Sequence, residues 1–459
     1  MIKSDTIAAI ATGMGNFGIG IIRISGEDAF AVGERVFTPA RKGKKLTEQN
    51  TYTVHYGTIM DGDEMIDEVI VLLMKAPHSY TAEDTVEIDC HGGAYVMKRI
   101  LELVIRNGAR AAQPGEFTKR AFLNGRIDLS QAEAVMDVIQ AKNTYALKSS
   151  VSQLRGSVLV LIREIREQVL HEIAFIETAL DDPEHISLDG YPKELLKKVD
   201  ELTEKMERLL IRSKEGKLLR EGIRTVIVGK PNAGKSSLLN ILTGEERAIV
   251  TEIAGTTRDT LEEQIQIRGM TLLLVDTAGI RKTEDLVERI GVDRAKESLK
   301  DADLVLYVVD SSVSLDENDH EILSLLSGQN VIVLLNKTDL SMRTSKEMME
   351  RMLSVPVVCI SAKEETGLDD FADLLEHMFS DGQIAYNDEV HLTNVRHLSA
   401  MEEAKESLEK VRESIEAGMP EDFFSIDLMD AYESLGSILG ESVGEDLVNE
   451  IFQKFCVGK

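Results

Sequence analysis

Positive charge is scarce in this chain. Lys and Arg number 52 against 80 Asp and Glu, a formal net charge of −28 over 459 residues. Averaged over its length, such a chain is expected to be soluble and not to coat nucleic acid. A local basic patch or a basic partner subunit stays compatible with it. Cysteine is scarce too: Cys90, Cys359 and Cys456 are odd in number and far apart, and no C-x-x-C occurs. That argues against a disulfide framework or a zinc knuckle and for a reducing, cytoplasmic compartment. Long apolar runs are missing. No segment approaches about 18 uninterrupted apolar residues, so no membrane span is expected. The opening "MIKSDTIAAIATGMG" has too short an apolar run for a signal peptide and carries Asp5 inside it.

What is there falls into three styles. At roughly 150 residues per domain the length suggests about three domains. Residues 1–118 read as mixed α/β, with "DTIAAIA", "GIGIIRIS", "TYTVHYGTI", "DEVIVLLM" and "DTVEIDC" as strands. "AYVMKRILELVIRNGA" reads as a helix with Gly108 at its end. From residue 119 the pattern turns helical. Leu147, Val151, Leu154, Val158, Leu161, Ile165 and Val169 form an apolar seam, as do Leu195, Val199, Leu202, Met206 and Leu209. The spacing returns at Met401, Ala404, Leu408, Val411 and Ile415. The expected organisation is an N-terminal domain (1–118) and a helical domain in two parts (119–221 and 381–459) around an inserted domain (222–380). The insert alternates strand and helix: "RTVIVG", "QIQI", "TLLLVD", "DLVLYVVD", "NVIVLLN" and "VVCIS" are its strands. Several are apolar throughout, as strands of a doubly wound, mostly parallel sheet should be.

The insert carries the chemistry. "GKPNAGKS" (229–236) matches G-x-x-x-x-G-K-[ST] between a strand and a helix. Its glycines let backbone N–H groups close on phosphate oxygens, Lys235 supplies a cation, and the Ser236 hydroxyl can ligand Mg²⁺. The helix N-terminus adds partial positive charge. "DTAG" (276–279) follows an apolar strand, where Asp276 can hold Mg²⁺ through water and the Gly279 N–H can reach a γ-phosphate. In "NKTD" (336–339) the Asp339 carboxylate can accept two hydrogen bonds from the N1 and N2 edge of guanine, which adenine cannot offer. "SAK" (361–363) follows the last strand, where a base-contacting loop belongs. Together they indicate a GTPase.

One absence inside the site is informative. A Ras-type enzyme has a glutamine after DTAG to orient water; here that residue is Ile280. Of the nearby charged residues Arg281, Glu288 and Arg289, Glu288 can act on the water directly or through another water, or can be a solvated helix residue. Asn232 in the P-loop can offer a carbonyl oxygen to a monovalent cation, completed by the backbone of Thr251 and Ile253, or can simply form the turn. Thr257 is the natural switch threonine for Mg²⁺.

Long motifs give the chain a family likeness. "SYTAEDTVEIDCHGG" (79–93), "RAAQPGEFTKRAFLNGRIDLSQAEAV" (110–135), "EIAGTTRD" (252–259), "DTAGIRKTEDLVERIG" (276–291) and the terminal "FCVGK" resemble the MnmE (TrmE) family of tRNA-modification GTPases from end to end. The resemblance implies an N-terminal α+β domain similar to tetrahydrofolate-binding domains, through which the family forms homodimers. It also implies a Ras-like G domain inserted in a helical domain. It implies GTP contacts at Asn232, Ala233, Gly234, Lys235, Ser236 and Ser237, at Thr251, Glu252, Ile253, Ala254, Gly255, Thr256 and Thr257, at Asp276, Thr277, Ala278 and Gly279, and at Asn336, Lys337, Asp339, Ser361, Ala362 and Lys363. It further implies K⁺ at Asn232, Thr251, Ile253 and Thr256, Mg²⁺ at Ser236 and Thr257, and Glu288 as the catalytic glutamate. Arg23, Glu87, Arg126 and Lys459 match the positions that hold a 5-formyltetrahydrofolate-type folate. The implied partners are tRNA and an FAD-dependent MnmG (GidA) protein, with which the family modifies C5 of the wobble uridine.

Two other readings compete. An Era- or EngA-like GTPase would switch and bind without modification chemistry, but residues 380–459 show amphipathic helix rather than a basic RNA-clamping domain. A dead scaffold conflicts with the intact Lys235, Ser236 and Asp276. The tail "CVGK" has the cysteine position of a prenylation box, yet Gly458 is not aliphatic and Lys459 is an unusual last residue. The resemblance implies instead that it reaches the folate site of the N-terminal domain as a short cationic lid.

Overall fold

A computed structural model of the chain describes residues 5–41, 43–243, 263–275, 302–380, 392, 394–441, 443–455 and 457–458; the side chains of 212, 214–220, 263, 380 and 445 are not described. The chain divides into two compact units, Met1–Met136 with Gln153–Val199 and Glu403–Lys459, and Asp137–Ser152 with Asp200–Glu402.

In the first unit, alternating apolar residues build a sheet. Its strands and helices are β1 (Ile7–Ile10), β2 (Phe17–Ser25), α1 (Ala29–Val36), β3 (Phe37–Pro39), β4 (Thr53–Asp61), β5 (Glu64–Met74), β6 (Thr85–Gly92), α2 (Ala94–Arg106) and β7 (Arg110–Ala111). The seven strands lie in the order β3-β4-β5-β6-β2-β1-β7. Period-2 alternation sends Val69, Val71 and Leu73 of β5 inward and leaves Ile70 between them exposed. The inward residues pack with Ile22, Ile24, Val86 and Ile88 against Val32 of α1 and Met97, Ile100 and Val104 of α2. Each such burial stabilises by roughly 1.5–3 kcal/mol. The opposite face is exposed at Val54, Tyr56 and Ile70 but covered at β1, where Ile7 and Ala9 pack with Phe117; it carries Arg23 and Glu87, directly opposed across β2 and β6.

The chain continues through α3 (Glu116–Leu123), α4 (Leu129–Gln140), α5 (Thr144–Leu154), α6 (Ser157–Asp181) and α7 (Tyr191–Glu221). The seam read from Leu147 to Val169 does not lie on one helix. It breaks at Gly156, whose φ of +92° is a left-handed conformation no helix interior holds. Leu147 is exposed, and Ile162 rather than Leu161 joins Val158, Ile165 and Val169 in the core.

The second unit is a parallel α/β layer structure. It contains β8 (Ile223–Val228), α8 (Lys235–Leu242), β9 (Glu263–Ile267), β10 (Met270–Leu274), β11 (Leu304–Asp310), α9 (Glu317–Leu325), β12 (Val331–Asn336), α10 (Lys346–Leu353), β13 (Val357–Cys359), α11 (Leu368–Ser380) and the start of α12 (Val395–Glu416), which from Glu403 on belongs to the first unit. The strand order is β13-β12-β11-β8-β10-β9, with only β9 antiparallel to its neighbour. Every residue of β12 is buried, which is why "VIVLLN" has no polar alternation. The hairpin β9–β10 is fastened at the break between α4 and α5. The buried Asn143 caps α5 by accepting from the Ala146 N–H at 2.7 Å and donates to Thr271 Oγ1 of β10 at 3.0 Å. Gln266 of β9 donates to the Lys142 carbonyl at 2.7 Å.

The chain then returns to the first unit through α13 (Glu421–Leu439) and α14 (Glu445–Gln453). α13 packs on α6, so the helical stretches on the two sides of the insert do meet. The Arg166 guanidinium of α6 lies 4.0 Å from the Tyr432 ring centroid, donates to the Tyr432 carbonyl and pairs with Glu441. On α14, Val448 and Phe452 join Phe455 in a cluster with Leu129, Ala132 and Met136 of α4. No helix among the described residues is long and apolar enough to cross a membrane.

Candidate functional site: a nucleotide cradle and a docked tail

The P-loop turns from the end of β8 into α8. Asn232 takes φ +60° and Gly234 φ +100°. Gly234 has no alternative here: a Cβ on it would stand 2.0 Å from the Asn336 Nδ2. The close approach brings the loop against the end of β12, which carries the second motif. Asn336 is 1% exposed and bridges three motifs. Its Nδ2 donates to the Ala233 carbonyl at 2.9 Å, and its Oδ1 accepts from the Ala362 N–H at 2.9 Å. A single buried amide thus ties P-loop, NKTD and SAK together, as a satisfied buried polar group should.

Asp339 is aimed by the same device. Ser361, itself buried, donates its hydroxyl to Asp339 Oδ1 at 2.8 Å. The Ser361 Oγ also accepts from the Glu364 N–H at 3.2 Å, which fixes the rotamer. Lys337 sits at φ +64°, and its Nζ reaches Asp310 Oδ2 at 2.5 Å. Burial would raise the Asp310 pKa, but Lys337 and the Ser312 N–H and hydroxyl outweigh it, and the net shift is downward. Lys363 is exposed at the loop rim, and Ser236 and Ser237 are exposed on the first turn of α8. The Lys235 ammonium donates to the carbonyls of Gly229 at 2.6 Å and Lys230 at 2.7 Å. Burial lowers its pKa.

Lys230 has its own partners. Its Nζ lies 2.6 Å from Asp319 Oδ2 and 2.9 Å from Asp316 Oδ2. Asp319 is 1% exposed and accepts from the Tyr307 hydroxyl at 2.9 Å. Asp316 and Asp319 form a capping box at the start of α9. Neither they nor Asp310 and Tyr307 stood out in the sequence. The only signal was the charged residue at the second P-loop position.

Thr251, Glu252, Ile253, Ala254, Gly255, Thr256, Thr257, Asp276, Thr277, Ala278, Gly279 and Glu288 lie outside the described residues, as do Cys456 and Lys459.

On the first unit, the structure brings Arg23 and Arg126 to one ring, with Glu87 paired to Arg23. Arg23 Nε pairs with Glu87 Oε1 at 2.7 Å, with both side chains 15% exposed. The Arg23 guanidinium lies 5.5 Å from the Tyr80 ring centroid and 5.6 Å from that of Phe117. The Arg126 guanidinium lies 5.0 Å from the Tyr80 centroid and donates to the Tyr80 carbonyl at 2.9 Å. Tyr80 therefore serves two cations, a role the sequence did not single out. The C-terminal tail completes the group. Arg23 Nη1 donates to the Gly458 carbonyl at 3.1 Å. Gly458 holds φ +95°, and a Cβ on it would fall 2.4 Å from the Ile10 carbonyl oxygen. Backbone lies on backbone here, and only glycine permits that spacing.

A model of the MnmE helical domain matches residues 129–456, and a model of the N-terminus of the GTP-binding protein TrmE matches residues 6–126. A protein of Lachnoclostridium phytofermentans named tRNA modification GTPase MnmE is 56% identical over 100% of both chains. Proteins of the same name from Geobacillus kaustophilus and Bacillus subtilis are 46% and 45% identical, covering 100% and 99% of this chain and 100% of their own. The solved G domain of the T. maritima FeoB iron transporter is 28% identical, covering 34% of this chain and 98% of its own at a TM-score of 0.26. An Era- or EngA-like chain would share the central motifs alone, whereas the two family models and the full-length relatives match both flanks. With its nucleotide cradle, its split helical domain and its folded-back tail, the chain belongs to the MnmE (TrmE) family.

Proposed function

We propose that this chain is a K⁺-dependent GTP hydrolase that works with an FAD-dependent MnmG-type partner on tRNA. The pair adds an aminomethyl or carboxymethylaminomethyl group to C5 of the wobble uridine, U34, of certain tRNAs. The observation that carries this reading is the full-length likeness to proteins named tRNA modification GTPase MnmE.

Residues of both sites support this reading. The Ser361-held Asp339 carboxylate suits the N–H edge of guanine. Lys235 and the N–H groups of the glycine-restricted loop suit phosphate oxygens. Mg²⁺ would be held by Ser236 and Thr257, and K⁺ by Asn232, Thr251, Ile253 and Thr256; bound there, they would supply positive charge beside the phosphates. In a G domain without the usual glutamine, Glu288 is the residue that orients water.

The Arg23–Glu87 pair and the Tyr80 ring with two guanidiniums beside it suit a flat heteroaromatic group with a carboxylate tail. Arg23, Glu87, Arg126 and Lys459 would hold a 5-formyltetrahydrofolate-type folate, which when bound supplies a one-carbon unit. The exposed Val54, Tyr56 and Ile70 on the open sheet face are where a second copy would pack through the N-terminal domain. With a net charge of −28, the chain would rely on the partner for basic surface against tRNA.

The test is nucleoside analysis of tRNA from a strain lacking the family's gene and rescued with this chain. Return of the modified wobble uridine is the expected result. A rescue that restores GTPase activity but leaves U34 unmodified would refute the reading. GTP hydrolysis is expected to be faster in KCl than in NaCl, and equal rates would remove the cation assignment.

A further inference from the structure

We propose that Lys230 is a positioning residue for the nucleotide, and that the Asp319–Asp316 carboxylate pair is its fixed counter-charge. The inference rests on GTP as the ligand of this loop. The second residue of a P-loop has no side-chain contact with phosphate in its defining pattern, so any side chain is allowed there by the motif. Here the side chain is committed. Lys230 Nζ stands within 2.6 Å of Asp319 and 2.9 Å of Asp316, and its own side chain is 16% exposed. Asp319 is fixed from behind, since its other oxygen takes the Tyr307 hydroxyl at 2.9 Å inside the sheet core. Tyr307 is fully buried, so that carboxylate cannot swing away to water.

Two consequences follow. The first is geometric. The Lys230 carbonyl and that of Gly229 are where Lys235 Nζ is held, so tying residue 230 to α9 fixes the part of the loop that carries the phosphate-binding lysine. The second is electrostatic. Two carboxylates stand at the end of the sheet where a doubly wound fold binds its ligand. Unneutralised, they would repel a polyphosphate at short range through poorly screened surroundings. Burial alone would lower the Lys230 pKa, yet the two carboxylates raise it overall, so the ammonium remains charged through the physiological range. Lys230 therefore cancels the acidic pair without spending its charge on the phosphates, and this would support GTP and GDP alike. It is a uniform-binding device, and its loss should fall on KM rather than on kcat.

The experiment uses the full chain and fluorescent mant-GDP and mant-GTP. Lys230→Met is expected to weaken both nucleotides by about tenfold at low salt and by less at high salt, the size of one poorly screened charge pair. KM for GTP should rise in step, with kcat falling much less. Lys230→Arg should bind within a few-fold of the unaltered chain. Lys230→Met with Asp319→Asn, which keeps the Tyr307 bond and removes the charge, should regain most of the lost affinity. If Lys230→Met, folded by circular dichroism, binds both nucleotides as tightly as the unaltered chain, the inference fails. A double variant no tighter than Lys230→Met overturns the charge argument. Should Lys230→Met not fold, Asp319→Asn alone decides: mant-GDP affinity equal to or above the unaltered chain supports the charge argument, and a loss overturns it. An unaltered chain that binds no mant-GTP would instead refute the nucleotide reading itself.

Discussion

Arg23 and Gly458 are 435 positions apart in the chain, and the Arg23 guanidinium donates to the Gly458 carbonyl at 3.1 Å. The same guanidinium pairs with Glu87 and faces the Tyr80 and Phe117 rings. The tail that ends the sequence thus forms one wall of the site that opens on the N-terminal sheet. A lipid-anchor role would require it to leave that position.

The tail can be separated from the GTPase. Deleting Val457 to Lys459 should weaken binding of 5-formyltetrahydrofolate by about tenfold, the loss of one charge-assisted hydrogen bond and a closing segment. GTP hydrolysis should be nearly unchanged. Gly458→Val should behave like the deletion, because a Cβ there meets the Ile10 carbonyl at 2.4 Å and the φ of +95° excludes a branched residue. Calorimetric titration of the folate reads both, and a Gly458→Val chain with full folate affinity would contradict the wall assignment.

Base recognition should invert at Asp339. Asp339→Asn presents an amide that Ser361 can still position, but one of its two faces becomes a donor opposed to the N–H edge of guanine. GTP affinity should fall by at least about a hundredfold, as expected when a site built to accept from a substrate N–H edge is left mismatched. Xanthosine triphosphate, which carries an oxygen at that edge, should then bind better than GTP. Competition titrations against mant-GDP measure the ratio.

Glu288→Ala should retain GTP binding and lose turnover by roughly 10²–10⁴-fold, the range for a residue that handles the reacting water. Single-turnover hydrolysis with pre-bound GTP separates this from weak binding. Undiminished turnover would remove Glu288 from the mechanism.

Asn143 should report on the fastening of β9–β10. Asn143→Ala removes the cap of α5 and the bond to Thr271, at a cost of about 1–2 kcal/mol. Amide exchange in residues 263–275 should quicken, while exchange in β11 and β12 stays slow.

Acid should undo one surface lock. Hydrogen bonds from Arg110 come first, and those from Arg120 add to them, in lowering the Asp5 pKa below its ordinary 3.8. A carboxylate with a depressed folded pKa contributes stability above its unfolded pKa and loses it as pH falls through the folded one. Asp5 is half-exposed, so the contribution is at most about 1 kcal/mol. Asp5→Asn should be less stable than the unaltered chain at pH 7, and the gap should narrow as the pH falls below 3.8. Urea midpoints at the two pH values test this.

How much was legible in the sequence depended on the distance between partners. The P-loop, NKTD and SAK motifs were readable because each is a contiguous run whose backbone geometry is set by its own glycines and polar side chains. The strands of the insert were readable because burial on both faces leaves no polar residue in them, as in β12. The helical seam misled at Gly156, since apolar spacing of three and four continues across a residue whose φ of +92° ends the helix. Periodicity records which face is apolar and carries no information on a single dihedral.

By itself, then, the sequence determined the nucleotide chemistry, the inserted order of domains and the family. Only the tertiary structure decided that Asn336 joins three motifs, that Asp319 holds Lys230, and that Gly458 closes on Arg23. Those pairs are non-local, and each depends on which side chain the packed sheet leaves within about 3 Å of another, a distance no local pattern encodes.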